Sequence, residues 1–327
     1  MKDTPVRILI VGCGAVFNEL YSKNIDLIQK EGLIEVCAGI DTNYKTLEIF
    51  QQKYKKAKTF QNLVDALDQL EFDSALVLSP PSSHYQIIDL LLKKGIHIYC
   101  EKPLVVNLDD AISINKLLRS SNCVCKVGYV RRAFPNLRIL KDSFKQIKGN
   151  KKIKLSDGEV FRWPIKSDLI FNSAIQGSGV VWDKLSHNLD MINWIDPIME
   201  ITSINSHCIK GNTPSDVFIE GNTVNAVFEA HISWFEEFPN NIEISSPNQK
   251  IVSENSLSQF ISAEGIEKHE TIKDFYPRSY EEAVLLCLRE FLSISSKAKD
   301  SFLADFSESI ELTRFLDQID QGCRKVK

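Results

Sequence analysis

The sequence lacks CxxC cysteine pairs, long basic runs and any apolar run of the roughly 20 residues that a membrane-spanning helix needs. Its eight cysteines are scattered, which argues against a zinc site or a redox dithiol and indicates reduced core residues. The lysines between positions 53 and 58 fit the solvated face of a helix. Two glycines interrupt the apolar N-terminal stretch, which has no convincing signal-peptide cleavage site. We therefore expect a cytoplasmic protein that binds neither nucleic acid nor membrane.

The composition is that of an ordinary globular protein. The 327 residues are 43% hydrophobic and 25% charged, with a formal net charge of -4. A chain of this length can bury two hydrophobic cores. We predict two domains, over residues 1–127 and 128–327.

The first domain begins with an apolar run that stops at Gly12-Cys13-Gly14. Branched apolar residues followed by glycines predict a buried strand that turns tightly into a helix. Gly12 permits the turn, Gly14 lets a phosphate approach the backbone, and N–H groups at the helix start attract negative charge. The predicted pyrophosphate site comprises Gly12, Cys13, Gly14, Ala15 and Val16. Phe17 stands where the third glycine of such turns is usually found.

An acid follows the second predicted strand. Asp41 comes about 25 residues after the glycines, where a carboxylate can accept both ribose hydroxyls of adenosine and repels a 2′-phosphate. We therefore predict NAD as the cofactor, with NADP less favoured. The alternative is a nucleotide-free sheet with a coincidental turn.

Apolar runs alternate with amphipathic segments as far as residue 129. Strands are predicted at 6–12, 34–40, 72–79, 96–100 and 123–127, and helices at 15–30, 44–55, 63–70, 83–94 and 108–120. This alternation predicts a doubly wound parallel sheet, whose ligand lies beyond the carboxyl ends of the strands. Ser79 and Pro80 follow one such strand and are predicted to contact the cofactor. His84 is predicted to line the same cleft.

The second half of the chain has a different pattern, in which predicted strands follow one another with short turns. Strands are predicted at 152–163, 200–209, 217–228, 230–235 and 241–245, with turns at Gly211-Asn212 and Gly221-Asn222, and helices at 135–148, 279–295 and 304–321. Successive strands with short turns indicate an α+β domain with a mostly antiparallel sheet, whose exposed face suits oligomer formation.

Two constellations could carry chemistry. Glu101-Lys102-Pro103 ends a strand, so Lys102 could bind the reacting oxygen while Glu101 holds a ribose or the lysine; a solvated loop pair is the alternative. Arg131 follows the last strand of the first domain and could contact the cofactor or a polar substrate, or serve only in a linker.

The other constellation is a predicted helix on which Asp183, His187 and Asp190 share one face. A carboxylate that accepts from one imidazole nitrogen leaves the other nitrogen ready to take a proton. An ion-paired surface helix is an alternative. Metal ligation is less favoured because no fourth ligand is evident, and no metal site is predicted.

Together these motifs resemble the Gfo/Idh/MocA family, the glucose-fructose oxidoreductase and inositol dehydrogenase group. The matching segments occur in the family's order: GCGAVF from 12, SPPSSH from 79, EKP from 101, GYVRRAFP from 128 and GSGVVWDKLSH from 177. The chain departs from the family at Phe17, Ser178 and Leu185. The resemblance implies a Rossmann domain plus an α/β domain with an open sheet, bound NAD(P), and a homodimer or homotetramer paired through that sheet. It also implies that Lys102 lies near the reacting carbon, that His187 is the acid/base, and that Asp183 is its carboxylate partner.

We interpret the chain as an NAD-dependent oxidoreductase acting on a secondary alcohol of a sugar, a sugar derivative or a cyclitol. Lys102, Asp183 and His187 are the predicted catalytic residues. Two alternatives stay open. One is a glycosidase that retains NAD and uses transient oxidation; the other is a non-catalytic NAD-binding sensor.

Overall fold

The structure is a computed structural model that describes residues 4–160, 177, 179–209, 213–258, 261–265, 276–294 and 301–325. By its internal contacts the chain divides into two compact units. Unit 1 comprises residues 1–128 and 284–310, and unit 2 comprises residues 129–283 and 311–327. Residues 284–310, which the sequence placed in the second domain, thus fall in unit 1. The predicted boundary after residue 127 stays a prediction.

Unit 1 is built on a seven-stranded sheet. Its strands are β1 (Val6–Val11), β2 (Ile34–Ile40), β3 (Lys58–Phe60), β4 (Ser74–Val77), β5 (His97–Cys100), β6 (Cys125–Val127) and β14 (Ala304–Asp305). Their spatial order is β14-β6-β5-β4-β1-β2-β3, and β1 to β6 pair in parallel. The central strand β1 is buried from Ile8 to Val11. The predicted Rossmann-like parallel sheet is confirmed.

Three helices of unit 1 begin directly after a capping asparagine. The helices of unit 1 are α1 (Ser22–Lys30), α2 (Tyr44–Lys53), α3 (Leu63–Gln69), α4 (His84–Lys93) and α5 (Leu108–Leu118). Asn43, Asn62 and Asn107 stand directly before α2, α3 and α5, and each side-chain oxygen accepts a backbone N–H of the first turn. Such caps satisfy donors that have no partner within the helix, which explains the sharp helix starts.

The edge strand β14 was not predicted. Residues 304 and 305 pair antiparallel with β6, so the predicted helix over 304–321 begins only at Phe306. Asp305 also accepts from the buried Lys126 at 2.7 Å. A two-residue strand has no readable alternation, because it is formed by pairing with a distant segment rather than by local pattern.

Unit 2 is built on a second seven-stranded sheet. Its strands are β7 (Lys151–Gly158), β8 (Ile198–Ile209), β9 (Thr213–Thr223), β10 (Ala226–Ser233), β11 (Phe238–Ser246), β12 (Gln249–Glu254) and β13 (Ile261–Glu264). The order is β13-β12-β11-β7-β10-β9-β8, with β7 and β10 parallel and the other neighbours antiparallel. The predicted large, mostly antiparallel sheet is confirmed.

One predicted turn in this sheet is wrong. Gly221 and Asn222 lie inside β9, and the chain reverses at residues 224–225. A Cβ atom on Gly221 would lie 2.3 Å from the carbonyl oxygen of Glu200 and 2.6 Å from the ring of Phe228. This glycine therefore allows close packing between strands. The predicted turn at Gly211-Asn212 and residues 161–163 of a predicted strand lie outside the described residues.

The helices of unit 2 carry the second candidate site. They are α6 (Pro135–Phe144) and α7 (Ser186–Ile195); two further helices, α8 (Tyr280–Ile294) and α9 (Phe306–Lys325), each have one end in either unit. Both α6 and α7 pack against strands of the unit 2 sheet. None of the helices in the described parts of the chain combines the length and the apolar character needed to cross a membrane.

Candidate functional site

The glycine turn of unit 1 follows β1 directly. Gly12 has φ +93°, and a Cβ atom there would lie 2.5 Å from the backbone nitrogen of Ser79. Only glycine fits such a position, since both the backbone angle and the contact exclude a side chain. A Cβ atom on Gly14 would meet nothing within 4 Å. The turn is therefore tight against the protein at Gly12 and open at Gly14, as a pyrophosphate cradle requires.

Asp41 reaches back to this turn. One carboxylate oxygen accepts from the backbone N–H of Cys13 at 3.0 Å, and the other accepts from that of Asn43 at 2.9 Å. The carbonyl oxygen of Ile40 accepts from Gly12 at 2.8 Å. The acid after β2 and the glycines after β1 thus form one hydrogen-bonded unit.

A π-helical turn over Phe17–Tyr21 replaces the close helix approach that a third glycine would allow. The Phe17 ring is 1% exposed and contacts Phe50 and Tyr54, at centroid distances of 5.5 and 6.1 Å. The space for Phe50 comes from Gly39, where a Cβ atom would lie 2.5 Å from the Phe50 ring. The small residue of this region is therefore Gly39 in β2 and not a glycine at position 17. The Phe17 ring fills the space between the helix and the sheet.

The thiol of Cys13 lies inside the turn and 3.6 Å from the carbonyl oxygen of Ile40. A helix start can lower the pKa of a thiol, but here burial raises the pKa of Cys13, and the Asp41 charge adds to that rise. Cys13 is therefore an unreactive small residue in the turn.

His84 does not line an open cleft. Its side chain is fully buried, with Nδ1 3.0 Å from the carbonyl oxygen of Pro103 and Nε2 2.9 Å from that of Ser79. Burial lowers the pKa of His84. The ring connects the loop after β4 to the loop after β5, which corrects our expectation: His84 positions these loops from inside unit 1. Pro80, beside Ser79, precedes a short 3-10 turn over Pro81–Ser83.

The loop after β5 holds Glu101 and Lys102. Tyr21, at the end of the π-helical turn, donates its hydroxyl to the Glu101 carboxylate, which also accepts from the backbone N–H of Lys102 at 3.0 Å. Burial raises the pKa of Glu101, although these hydrogen bonds and the Lys102 charge lower it in part. The Lys102–Pro103 peptide bond is cis. The Glu101 carboxylate thus connects its own loop, through Lys102, to the π-helical turn that follows the glycines, through Tyr21.

In unit 2, Asp183 and His187 lie at the start of the helix that carries them. A second π-helical turn, Val181–Leu185, precedes α7, and the backbone N–H of Asp183 donates to Gly179 at 3.2 Å. Both side chains are partly exposed, and the His187 ring meets Tyr129 edge-on at a centroid distance of 6.2 Å. The four-residue spacing across this turn keeps them on adjoining helical positions. Ser178 of the same motif lies outside the described residues.

Asp190 does not join them. It is 2% exposed and accepts from Nε and Nη2 of Arg132 at 2.9 and 2.6 Å. Asp190, which the helix pattern places on the same face as Asp183 and His187, is thus the partner of a buried arginine. The predicted catalytic roles of Asp183 and His187 stay predictions. A buried, bidentate pair of this kind holds α7 against the 3-10 turn over Val130–Ala133.

Arg131 lies next to a buried carboxylate that the sequence did not single out. Asp157, at the end of β7, is 0% exposed and pairs with Arg131 at 3.2 Å and with Lys184 at 2.7 Å. Asn188 donates to Asp157 at 3.0 Å and accepts from Arg131 at 2.7 Å. The two-residue alternation of Ile153, Leu155 and Asp157 was the available signal, since it places Asp157 on the buried face.

One group of side chains could share a cation among the residues that the structure describes. Asp216, His231 and Glu236 have ligand atoms within 4.8 Å of one another. An ordinary hydrogen bond accounts for most of this arrangement, because His231 Nε2 lies 3.2 Å from Asp216. Its ring also stacks on Phe238 at 4.5 Å.

Residues 6–129 match the family profile GFO_IDH_MocA, described as an oxidoreductase family with an NAD-binding Rossmann fold. Over these residues the chain is similar to the Gfo/Idh/MocA family. The matched residues include the glycine turn, Asp41 and the Glu101-Lys102-Pro103 segment. The GSGVVWDKLSH segment from 177 and most of GYVRRAFP from 128 lie outside the match.

Two curated relatives illustrate the similarity. It is 23% identical over 138 residues to a myo-inositol 2-dehydrogenase of Thermotoga maritima, covering 42% of this chain and 40% of the relative. It is 22% identical over 217 residues to a D-glucoside 3-dehydrogenase of Escherichia coli, covering 64% of this chain and 59% of the relative. The matched region thus spans about half the length of these relatives.

Solved structures extend the likeness of fold to the whole chain. An oxidoreductase from Thermotoga maritima superposes with a TM-score of 0.82 at 17% identity, covering 98% of this chain and 97% of the other. The WlbA dehydrogenase from Bordetella pertussis, solved with NADH and UDP-GlcNAcA, gives 0.81 at 17% identity, covering 99% and 97%. The likeness of fold therefore covers both units.

Proposed function

We propose that this protein is a nicotinamide-dependent dehydrogenase that transfers a hydride between the cofactor and a secondary alcohol or ketone of a sugar, a sugar derivative or a cyclitol. The observation that carries the proposal is the turn that is closed at Gly12, open at Gly14 and bound to the Asp41 carboxylate at 3.0 Å. These residues fit a dinucleotide. The names of the relatives, inositol and glucoside dehydrogenases, support the substrate class.

Bound nicotinamide would supply the hydride acceptor. The protein's own residues would handle the proton and the charge. We assign to His187 the removal of the hydroxyl proton, to Asp183 the orientation of that imidazole, and to Lys102 the stabilisation of negative charge on the substrate oxygen. Reduction of a ketone uses the same groups in reverse.

Asp41 supports NAD over NADP. Its carboxylate already accepts two backbone N–H groups beside the glycine turn, so a 2′-phosphate there would face a fixed negative charge. Replacing Asp41 with Ser should raise the KM for NAD about 10-fold, the effect of one lost charged hydrogen bond, and lower the KM for NADP. Equal use of NAD and NADP by the unaltered protein would contradict this assignment.

The first experiment measures nicotinamide absorbance while the purified protein meets a panel of cyclitols, aldoses and nucleotide sugars. Substrate-dependent NADH formation is the expected result. Bound cofactor without any net redox change would instead favour the glycosidase or the sensor.

Variants of His187 test the mechanism. His187→Asn should lower kcat by roughly 100-fold or more, because general base catalysis contributes about that factor, with NAD affinity nearly unchanged. Unchanged turnover would remove His187 from the mechanism.

If Lys102 and His187 act on one substrate, the kcat of the double variant Lys102→Met, His187→Asn should fall by far less than the product of the two single-variant losses.

We also propose that the protein is a homodimer or homotetramer that pairs through one face of the unit 2 sheet. That face carries ion pairs of Lys152 and Lys154 with Glu229, at 2.5 and 3.2 Å, beside the half-exposed Val227. Sedimentation of the protein and of Val227→Asp should differ in mass if this face pairs. Identical masses would contradict the proposed surface.

A further inference from the structure

We propose that Asp157 is a positioning residue that sets the orientation of His187 through Lys184 and Asn188. This inference rests on the proposed catalytic role of His187. It concerns a buried carboxylate at the end of β7, which lies 30 residues before His187 in the chain.

The geometry begins with two interleaved pairs of residues. Asp183 and His187 are four residues apart, and so are Lys184 and Asn188. Each residue of the second pair directly follows one of the first. Since successive residues of a helix are rotated by about 100°, anchoring the second pair fixes the direction in which the first pair points.

Asp157 anchors both members of the second pair. Its carboxylate pairs with Lys184 Nζ at 2.7 Å and accepts from Asn188 Nδ2 at 3.0 Å. Asn188 Nδ2 also donates to the carbonyl oxygen of Lys184 at 2.9 Å. The anchor thus joins the π-helical turn, which holds Lys184, to the first turn of α7, which holds Asn188.

Two further residues, the part-exposed Arg131 and the buried Asn255, hold the anchor. Arg131 donates to Asn188 Oδ1 at 2.7 Å and contacts Asp157 at 3.2 Å, and Asn255 also donates to Asn188 Oδ1. Asp157 and Asn188 are both 0% exposed. Low dielectric strengthens buried polar contacts of this kind and makes a broken one costly. Two cationic side chains on one carboxylate hold it in place.

The test compares two buried carboxylates of similar exposure. Asp157→Asn removes the charge from the anchor. Asp196→Asn is the matched control, because Asp196 is 3% exposed and accepts from the backbone and side chain of Asn225 at 2.6 and 2.8 Å. Asp196 follows the last turn of α7, about 13 Å along the helix axis from His187.

We expect Asp157→Asn to lower kcat about 10- to 100-fold, as misplacement by a fraction of an ångström to one ångström does. The KM for NAD should stay within about 2-fold, and the primary deuterium isotope effect on kcat should increase because chemistry becomes slower than release. Asp196→Asn, measured at a temperature where both variants are folded, should leave kcat and the isotope effect unchanged. Equal losses in both variants would overturn the proposal.

Two further measurements keep the test decisive. If Asp157→Asn does not fold, Lys184→Met should show the same loss of kcat, whereas Lys184→Arg should keep kcat close to that of the unaltered protein. Equal activity in these two variants would overturn the proposal.

The imidazole NMR signals of His187, identified by their absence in His187→Asn, should shift in Asp157→Asn and stay in place in Asp196→Asn. This shift needs no substrate, so it survives a failure of the proposed function, and an unshifted signal would refute the positioning role.

Discussion

Each unit has a π-helical turn that leads into an α-helix beside its candidate site residues. The two turns are held in place by different interactions. In unit 1 the turn over Phe17–Tyr21 follows two glycines, of which Gly12 has a positive φ and lies against the backbone of Ser79. In unit 2 the turn over Val181–Leu185 is held by Asp157, a buried charge from a distant strand. Backbone shape governs the first region, and long-range buried electrostatics governs the second. Substitutions that alter the glycine turn of unit 1 should therefore leave the buried charge network of unit 2 intact, and the reverse should also hold.

The largest effect is expected at the glycine turn. Gly12→Ala should cost about 4 kcal/mol of unfolding free energy or prevent folding, because φ is +93° and the new Cβ atom would lie 2.5 Å from Ser79. Gly14→Ala is the control, with nothing within 4 Å of its Cβ atom. It should unfold at nearly the same urea midpoint as the unaltered protein and lose NAD affinity in a fluorescence titration. Equal midpoints for both variants would refute the claim that backbone shape at Gly12 governs this region.

A buried ion pair of unit 2 comes next. Asp190→Asn should lower the unfolding free energy by about 3 kcal/mol, since it leaves the Arg132 guanidinium buried without its countercharge. The surface pair of Lys93 and Asp89, 60% and 23% exposed, provides the comparison. Asp89→Asn should cost at most about 0.5 kcal/mol. Urea unfolding measures both, and comparable costs would show that burial does not govern unit 2.

Packing around Phe17 should respond by a smaller amount. Gly39→Ala should cost about 2 kcal/mol, because its Cβ atom would meet the Phe50 ring at 2.5 Å in a filled core. Adding Phe50→Leu should recover part of that loss by making room for the methyl group. A double variant less stable than Gly39→Ala alone would contradict this account of how the turn accommodates Phe17.

The smallest effect is a pH dependence of opposite sign in the two units. Burial raises the pKa of Glu101 above its ordinary value of 4.5, so the stability of the unaltered protein relative to Glu101→Gln should fall as the pH rises through that raised pKa. Burial would also raise the pKa of Glu229, but ion pairs with Lys152 and Lys154 lower it overall. Stability relative to Glu229→Gln should therefore fall as the pH drops below about 4.5.

Urea midpoints between roughly pH 3.5 and 8 measure both slopes. Slopes of the same sign would mean that one of the two carboxyl groups has been assigned the wrong environment. The comparison is internal to one chain, so effects of pH on all other groups cancel.

Much of this protein could be predicted from its sequence. Strict strand and helix periods located β1, β2 and the following helices, and the acid after β2 was expected beside the glycines, where Asp41 lies. The Gfo/Idh/MocA assignment depended on the same local motifs. These features are legible because strand burial, turn angles and helix starts depend on residues close in sequence.

Only the tertiary structure decided which charges meet. Asp190 pairs with Arg132 across 58 residues, and Arg131 meets Asp157 across 26. His84 lies buried between two loops, Gly221 allows packing inside a strand, and residues 304–305 return as an edge strand. The physical reason is common to all of them: a side chain's hydrogen-bond or ion-pair partner depends on how distant segments pack, and periodicity records which face is buried without recording what lies against it.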